Sequence, residues 1–281
     1  MPAAICGGKP AASSSRPDGL PAVNSRPVPP AVRAVRLLRV GLHLAWGAGV
    51  AALLFPWVSQ QRRKREIRRW SARLLHLLAV KLRVHGASRP DHAVPLMLVA
   101  NHVSWLDIFA INAVLPARFV AKSEVRRWPL IGWLCDRTGT LFIERSRRSH
   151  TVRINRLIAQ ALQAGDTVAL FPEATSTDGT QVRKFHSALL QPATQVRAML
   201  QPVAIRYRRA DGSPCVEAAY DGDKSLWSTL RTMLSQRAIY AELHFLPPLS
   251  ACGQTRRALA GTAHGLIARA LFPSSGCSRT A

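Results

Sequence analysis

The sequence of 281 residues predicts an α/β protein, a mixed sheet flanked by helices, with an N-terminal membrane-associated helical segment. Three observations carry that expectation. Apolar runs at Val94–Ala100, Gly139–Arg145 and Val168–Phe171 have the length and density of buried strands. Segments of helical periodicity, Ile108–Leu115 and Thr151–Ala164, alternate with them. Ahead of all of these, Val40–Val58 is the strongest apolar stretch and lies near the lower length limit for a bilayer-crossing helix.

Composition narrows the partners. Hydrophobic residues make up 48% of the chain, enough for a large core. The net charge of +24, mostly arginine, suits either nucleic acid or the anionic face of a membrane. Aromatic residues are only 6%, and no nucleic-acid motif interleaves with the basic residues, so no nucleic acid is expected. The cysteines Cys6, Cys135, Cys215, Cys252 and Cys277 form no Cys-x-x-Cys pair, which supports neither a zinc site nor a redox motif. Scattered thiols fit a reducing compartment, and Cys135, in an apolar context, reads as a core residue. No metal site is expected.

Four segments follow in order. Residues 1–34 read as a disordered, basic tail rich in Pro, Ala and Ser, or in part as an upstream start that is not used. Residues 35–85 read as membrane-anchoring and amphipathic helices. Within them Trp46 and Trp57 suit a membrane interface, and Arg62-Arg63-Lys64-Arg65 is a juxtamembrane basic run that the positive-inside rule places in the cytoplasm. Arg33, Arg36 and Arg39 flank the other side, so a full span, a hairpin and an in-plane helix all remain open. Ile67–Val84 places Ile67, Trp70, Leu74, Leu75, Leu78 and Leu82 at helical spacing, for packing on the domain or lying in the headgroups. Residues 86–250 carry the α/β domain, and residues 251–281 a C-terminal helix and tail.

The chemistry concentrates at Asn101-His102-Val103-Ser104-Trp105-Leu106-Asp107, straight after the first buried strand. A polar pair at a strand exit is where α/β enzymes keep their chemistry. An imidazole held by a carboxylate can act as general base toward a hydroxyl, because the carboxylate fixes the tautomer and stabilises the imidazolium. Ser104 suits the cap of the helix that follows, with Asp107 in its first turn. A strand over Arg118–Lys122 and the strand ending in Arg145 each present a cation, for an anionic group or for solvent. Val168–Phe171 runs into Pro172-Glu173-Ala174-Thr175, a loop whose amides and hydroxyls can bind an oxyanion. Glu173 there suits a hydroxyl or an Arg partner. Leu200–Tyr207 is a late strand with Pro202, which is expected at a strand start, an edge or a bulge. His244–Pro248 reads as a last edge strand, Leu226–Leu234 and residues 254–270 as helices, and His186 and His264 as ordinary surface or core histidines.

Four blocks in this order resemble the glycerolphosphate and lysophospholipid acyltransferase family, among them the bacterial 1-acylglycerol-3-phosphate acyltransferases. Asn101-His102 with Asp107 is similar to the family's Asn-His-x4-Asp. Gly139 to Arg145 resembles Gly-x-x-Phe-Ile-x-Arg, Phe171 to Thr175 resembles Phe-Pro-Glu-Gly-Thr, and the Pro202 block completes the set. Val120-Ala121-Lys122 with Pro129 and Gly132 also fits. The likeness covers roughly residues 90–210, and four weak motifs in register make a strong one. Ala174 departs from it, standing where the family has Gly.

The resemblance implies an acyl transfer without a covalent acyl-enzyme and without a metal or cofactor. His102 would deprotonate the free hydroxyl of lysophosphatidic acid, with Asp107 orienting it. The hydroxyl would attack the thioester of acyl-CoA or acyl-carrier protein, giving phosphatidic acid. Lys122 and Arg145 would hold the acceptor phosphate, and Gly139, Glu173, Ala174 and Thr175 would shape the substrate site. The expected location is the inner membrane, with the active site facing the cytoplasm and its anionic surface. The alternative is another lysolipid acceptor such as lyso-ornithine lipid, whose branch shares the pattern Thr175–Gly179 followed by Phe185-His186-Ser187. A basic membrane- or nucleic-acid-binding protein without catalysis is the remaining reading.

Overall fold

A computed structural model describes residues 28–86, 94–144, 148–222 and 224–273. The chain opens with two long helices, α1 (Pro30–Leu53) and α2 (Gln60–Leu77), followed by β1 (Val80–His85). Next come β2 (Leu96–Ala100), α3 (Leu106–Val114), β3 (Arg118–Lys122), α4 (Ile131–Arg137) and β4 (Leu141–Ile143). Then follow α5 (Arg148–Gln163), β5 (Val168–Leu170), α6 (Gln191–Gln195) and β6 (Met199–Arg208). The chain closes with α7 (Leu226–Leu234), β7 (Ile239–Phe245), β8 (Leu249–Ser250) and α8 (Arg256–Leu271).

The strands form one eight-stranded mixed sheet in the order β1-β7-β6-β2-β5-β3-β4, with β8 pairing β6. β6, β2, β5, β3 and β4 run parallel, while β7 and β1 run antiparallel to them. The alternating faces of β2 explain how both sides are covered. Leu98 and Ala100 face a core shared with α2, α3 and α7. Met97 and Val99 face a second core built with α5 and α8. A strand buried on both faces must be apolar throughout, which is why Leu96–Ala100 reads as an unbroken hydrophobic run.

Local chemistry sets the helix ends. The Ser59 hydroxyl accepts from Arg62 N at the start of α2, and the Thr255 hydroxyl from Ala258 N at the start of α8. α5 stops where Gly165 takes φ +79°, with Asp166 N donating to Ala161 O and Gly165 N to Leu162 O. That paired closure needs a left-handed residue, and glycine adopts it without a Cβ penalty.

Four expectations change. The amphipathic helix expected over Ile67–Val84 ends at Leu77, and residues from Val80 form β1, whose backbone pairs with β7 over its whole length. The apolar helix begins at Pro30 rather than Val40 and ends at Leu53, followed by a 3-10 turn at Phe55–Trp57. The last edge strand expected over His244–Pro248 is the end of β7, which stops at Phe245 and lies between β1 and β6, so β1 is the edge on that side. Pro202 sits in an interior strand, at the place where the antiparallel partner of β6 changes from β7 to β8. That break in the ladder supplies the tolerance that an edge or bulge was expected to give. The tail expected over residues 1–34 lies outside the described residues as far as residue 27.

Candidate active site

Parallel strands present their C-terminal ends to one edge of the sheet, and this is where the polar residues gather. Asn101 leaves β2 and bridges to β6: its Nδ2 donates to Ile205 O at 2.9 Å and its Oδ1 accepts from Ile205 N at 2.8 Å. That pair of bonds extends the β2–β6 ladder by one side chain and fixes where the next residue begins.

The next residue is His102. Its Nδ1 lies 2.8 Å from Asp107 Oδ2, and Asp107 is completely buried at 0% exposure. The five-residue separation closes because residues 101–104 turn ahead of α3, whose first turn carries Asp107. The same Oδ2 accepts from Val103 N at 2.8 Å and Ser104 N at 3.0 Å. Asp107 therefore folds the loop around itself and holds the imidazole with one oxygen. Its other oxygen accepts from the Tyr207 hydroxyl at 2.6 Å. Burial, followed by the neighbouring Asp107 charge, pushes the Tyr207 phenol well above its ordinary value, so it remains a protonated donor. The N-cap of α3 is Trp105 rather than the expected Ser104; the Ser104 hydroxyl accepts from Leu106 N at 3.3 Å.

The His102 backbone is gripped from both sides. Its N–H donates to Glu173 Oε1 at 2.8 Å, and its carbonyl accepts from Thr177 N at 2.9 Å. Glu173 Oε2 accepts from Arg183 N at 2.8 Å. Burial pushes the Glu173 carboxyl up, against the lowering effect of the Arg183 and His102 amides. Phe171 stacks on the imidazole at a centroid distance of 4.1 Å and 10° between planes, which sets the ring orientation. One imidazole is thus positioned by a carboxylate at its ring edge, an aromatic face and two backbone bonds.

The sequence expectations divide. His102, Asp107 and Glu173 come together as one hydrogen-bonded unit. Glu173 accepts from the backbone amides of His102 and Arg183, one at each oxygen. Ala174 and Thr175 follow it in the same loop, Thr175 exposed. Ala174 takes φ +66°, the conformation in which glycine is favoured, so the departure from the family's Gly lies at a strained position. Lys122, exposed, ends β3 at the same edge of the sheet. Gly139 does not join them. It precedes β4 at the opposite edge, at φ +81°, its carbonyl accepting from Arg118 Nε at 2.8 Å. A Cβ there would press on the Arg118 guanidinium, which gives this glycine a reason in the turn. Arg145 lies outside the described residues.

Sequence reasoning did not single out Tyr207, Phe171 or Thr177. Phe171 belonged to a quoted motif, and its position directly after a buried strand was the available signal. Tyr207 becomes visible only once β6 is known to lie beside β2. Among the described residues, no group of three or more His, Cys, Asp or Glu side chains is arranged to hold a metal ion. The three described cysteines are free, and burial pushes the Cys215 thiol up to about 12. Cys135, expected in the core, is half-buried, and burial raises its thiol too. His264, read as ordinary, contacts Val182 O at 3.3 Å and meets Phe185 edge to face.

A family model described as Acyltransferase matches residues 81–206. A protein of Pseudomonas aeruginosa named lyso-ornithine lipid O-acyltransferase is 38% identical over 259 residues, 89% of this chain and 96% of the relative. A protein of Neisseria gonorrhoeae named 1-acyl-sn-glycerol-3-phosphate acyltransferase is 37% identical over 161 residues, 57% of this chain and 63% of the relative. The crystal structure of the 1-acyl-sn-glycerophosphate acyltransferase PlsC from Thermotoga maritima shares the fold. Its TM-score is 0.63 at 21% identity, over 85% of this chain and 96% of that one.

Proposed function

The chain belongs to the acyltransferase family, and from that premise we propose that it moves a fatty acyl group from acyl-CoA or acyl-carrier protein to the free hydroxyl of a membrane lysolipid. The observation that carries this reading is the fully buried Asp107 holding Nδ1 of His102 at the exit of β2. With Nδ1 committed to the carboxylate, Nε2 takes the proton from the acceptor hydroxyl. The hydroxyl oxygen attacks the thioester carbonyl, the carbon–sulfur bond breaks, and the imidazolium returns its proton to the leaving thiolate. Asp107 stabilises the imidazolium between those two events. No side chain becomes acylated, and no redox step or bound cofactor is needed.

Glu173 acts through the backbone. By tying His102 N to Arg183 N it fixes the distance between the β2 exit and the loop after β5. Thr175, Ala174 and neighbouring amides would line the acceptor side, with Lys122 and Arg145 the cations assigned to an anionic headgroup.

Two acceptors compete. Lysophosphatidic acid is implied by the motifs and makes use of Lys122 and Arg145. Lyso-ornithine lipid is favoured by the extent of likeness: a relative so named aligns over 89% of the chain, against 57% for the Neisseria relative named for the phosphate acceptor. The test is transfer from labelled acyl-CoA and acyl-carrier protein to each acceptor, with His102→Ala in parallel. Product from lyso-ornithine lipid, lost in the variant, supports the preferred acceptor. Product only from lysophosphatidic acid, sensitive to Lys122→Ala and Arg145→Ala, moves the assignment to the other. No product from folded protein with lipid present overturns the reading.

The membrane supports the same picture. Pro30–Trp57 is a helical stretch long and apolar enough, by length and composition, to cross a bilayer. Yet α1 is tied to the rest of the protein along its length. Arg36 donates to Leu234 O and Gln236 O, Trp70 Nε1 to His43 O, and Gly47 packs against the Trp70 ring. A helix pinned sideways to a water-facing domain suits the plane of the interface better than a span. Its exposed Val35, Leu38, Leu42, Trp46 and Leu53 would dip into the lipid, and the basic N-terminal third would hold the cytoplasmic surface of the inner membrane.

A further inference from the structure

Beyond β3 and the 3-10 turn over Ser123–Arg127, the chain makes an unusual turn. Pro129-Leu130-Ile131 closes through Ile131 N donating to Pro129 O at 2.6 Å, with Leu130 at φ +62° and ψ −50°. This is the positive-φ form of the γ-turn, which is rare and strained for a residue with a side chain. Strain of this kind persists only where surrounding structure enforces it, and it gathers at functional positions. Here the enforcement is visible. Gly132 N donates to Trp128 O at 2.9 Å, and a Cβ on Gly132 would collide with the Arg126 carbonyl.

What the turn displays is apolar. Trp128 is 40% exposed, Leu130 47% and Trp133 37%. Folding normally hides such side chains, and a strained backbone that pushes a leucine outward works against burial. The sequence on either side carries Lys122, Arg126, Arg127 and Arg137, against the carboxylates of Glu124 and Asp136. Arg137 lies over the Trp133 ring at 5.3 Å. Tryptophans beside cations are the side chains that favour the boundary between headgroups and acyl chains. The helix that follows the turn, α4, packs against α1, whose own outer face is apolar.

We propose that the Trp128–Trp133 turn is a second membrane contact, inserted into the same leaflet as α1, and that it sets the active-site edge of the sheet against the bilayer. The occupant is an anionic bilayer. A lysolipid acceptor would then reach His102 by rising a short way out of its leaflet rather than by leaving the membrane. This rests on the reading that the acceptor is a membrane lipid.

Two measurements on the full chain test it. The first does not depend on activity. In phosphatidylglycerol-containing vesicles with acyl chains brominated near the glycerol, emission from Trp128 and Trp133 is the part removed in Trp128→Phe/Trp133→Phe. That part should be quenched by at least half, and finding it unquenched overturns the proposal. The second compares acceptors. Leu130→Asp should lower kcat/KM on vesicle-embedded lysolipid tenfold or more, while a short-chain, water-soluble lysolipid is acylated within twofold of the parent. Equal loss on both, or loss on neither, overturns the proposal. Absence of acyl transfer by the parent protein from any acceptor would count against the proposed function alone, since the quenching measurement still decides the contact.

Discussion

Two buried carboxylates, Asp107 and Glu242, lie on opposite faces of the same region of sheet and are treated in opposite ways. Asp107 is surrounded by Tyr207 OH, two backbone amides and the His102 imidazole, with no arginine or lysine among its hydrogen-bond donors in the described residues. Glu242, 5% exposed on β7, is surrounded by guanidinium groups: Arg206 Nε at 2.6 Å, Arg208 Nε at 3.4 Å and Arg83 at 3.4 Å. Cations cancel the charge they bind. Neutral donors stabilise an anion while leaving its field intact. Glu242 thus holds three strands together and has no charge left to use, whereas Asp107 keeps a field at one imidazole. The contrast separates a structural carboxylate from a chemical one without reference to sequence motifs.

Changing the charge of each tests that separation. Asp107→Asn should lower kcat by about 10²–10⁴-fold, the range for a general base and its orienting partner, with little change in KM. It should also lower Tm, because the amide cannot accept from Val103 N, Ser104 N and Tyr207 together. Tyr207→Phe keeps the volume and removes one bond to the charged oxygen. The expected loss is about 1.5–3 kcal/mol of stability and roughly tenfold in kcat. If kcat were unchanged while Tm fell, Tyr207 would be structural only.

Glu242→Gln should leave kcat within twofold and lower stability by about 1–3 kcal/mol. Burial raises the Glu242 carboxyl, but the Arg206 bond and the neighbouring arginines outweigh it and pull the group below its ordinary value. A carboxyl depressed in the fold contributes stability that is present above its unfolded value and lost as pH falls through its folded value. The variant should lack that acid-side decline in Tm. Glu173 gives the opposite sign. Its burial outweighs the amides that hold it, its carboxyl is raised, and so its contribution is complete at low pH and declines as pH rises from the ordinary glutamate range to the folded value. Glu173→Gln should remove that decline, and equal slopes in parent and variant would show that the two carboxylates do not differ as argued.

Most of Asp107's setting was legible in the sequence, and almost none of Glu242's. His102 and Asp107 are local, so a five-residue spacing after a buried strand announces them. β3 appears over Arg118–Lys122 and α7 over Leu226–Leu234 as their patterns indicate, because each element's burial is written in its own periodicity. Tyr207 and the arginines around Glu242 belong to strands far apart in the chain, and only the sheet order joins them. β1 was hidden for a related reason. Leu78 and Leu82 fit a helical face, yet Ala79 turns to φ +58° and the chain then pairs with β7, an interaction without a local signal. Gly139 misled for the opposite reason: it stands in a motif, but its φ of +81° and the Arg118 bond account for it away from the site.

The smallest expected effect concerns the loop next to Glu173. Ala174 at φ +66° carries a left-handed penalty of about 1–2 kcal/mol, and glycine would remove it. Glycine also frees the unfolded chain, which returns about 0.4–1 kcal/mol of the gain. Ala174→Gly should therefore raise stability by about 0.5–1 kcal/mol, visible as a small rise in Tm. Its effect on kcat/KM says whether the methyl matters to the acceptor. An unchanged value for lyso-ornithine lipid and a raised value for lysophosphatidic acid would mean that the alanine narrows the site against one headgroup. Unchanged values for both would make the methyl a matter of backbone strain alone, and the loop's contribution to catalysis would then rest on Glu173 and its two amides.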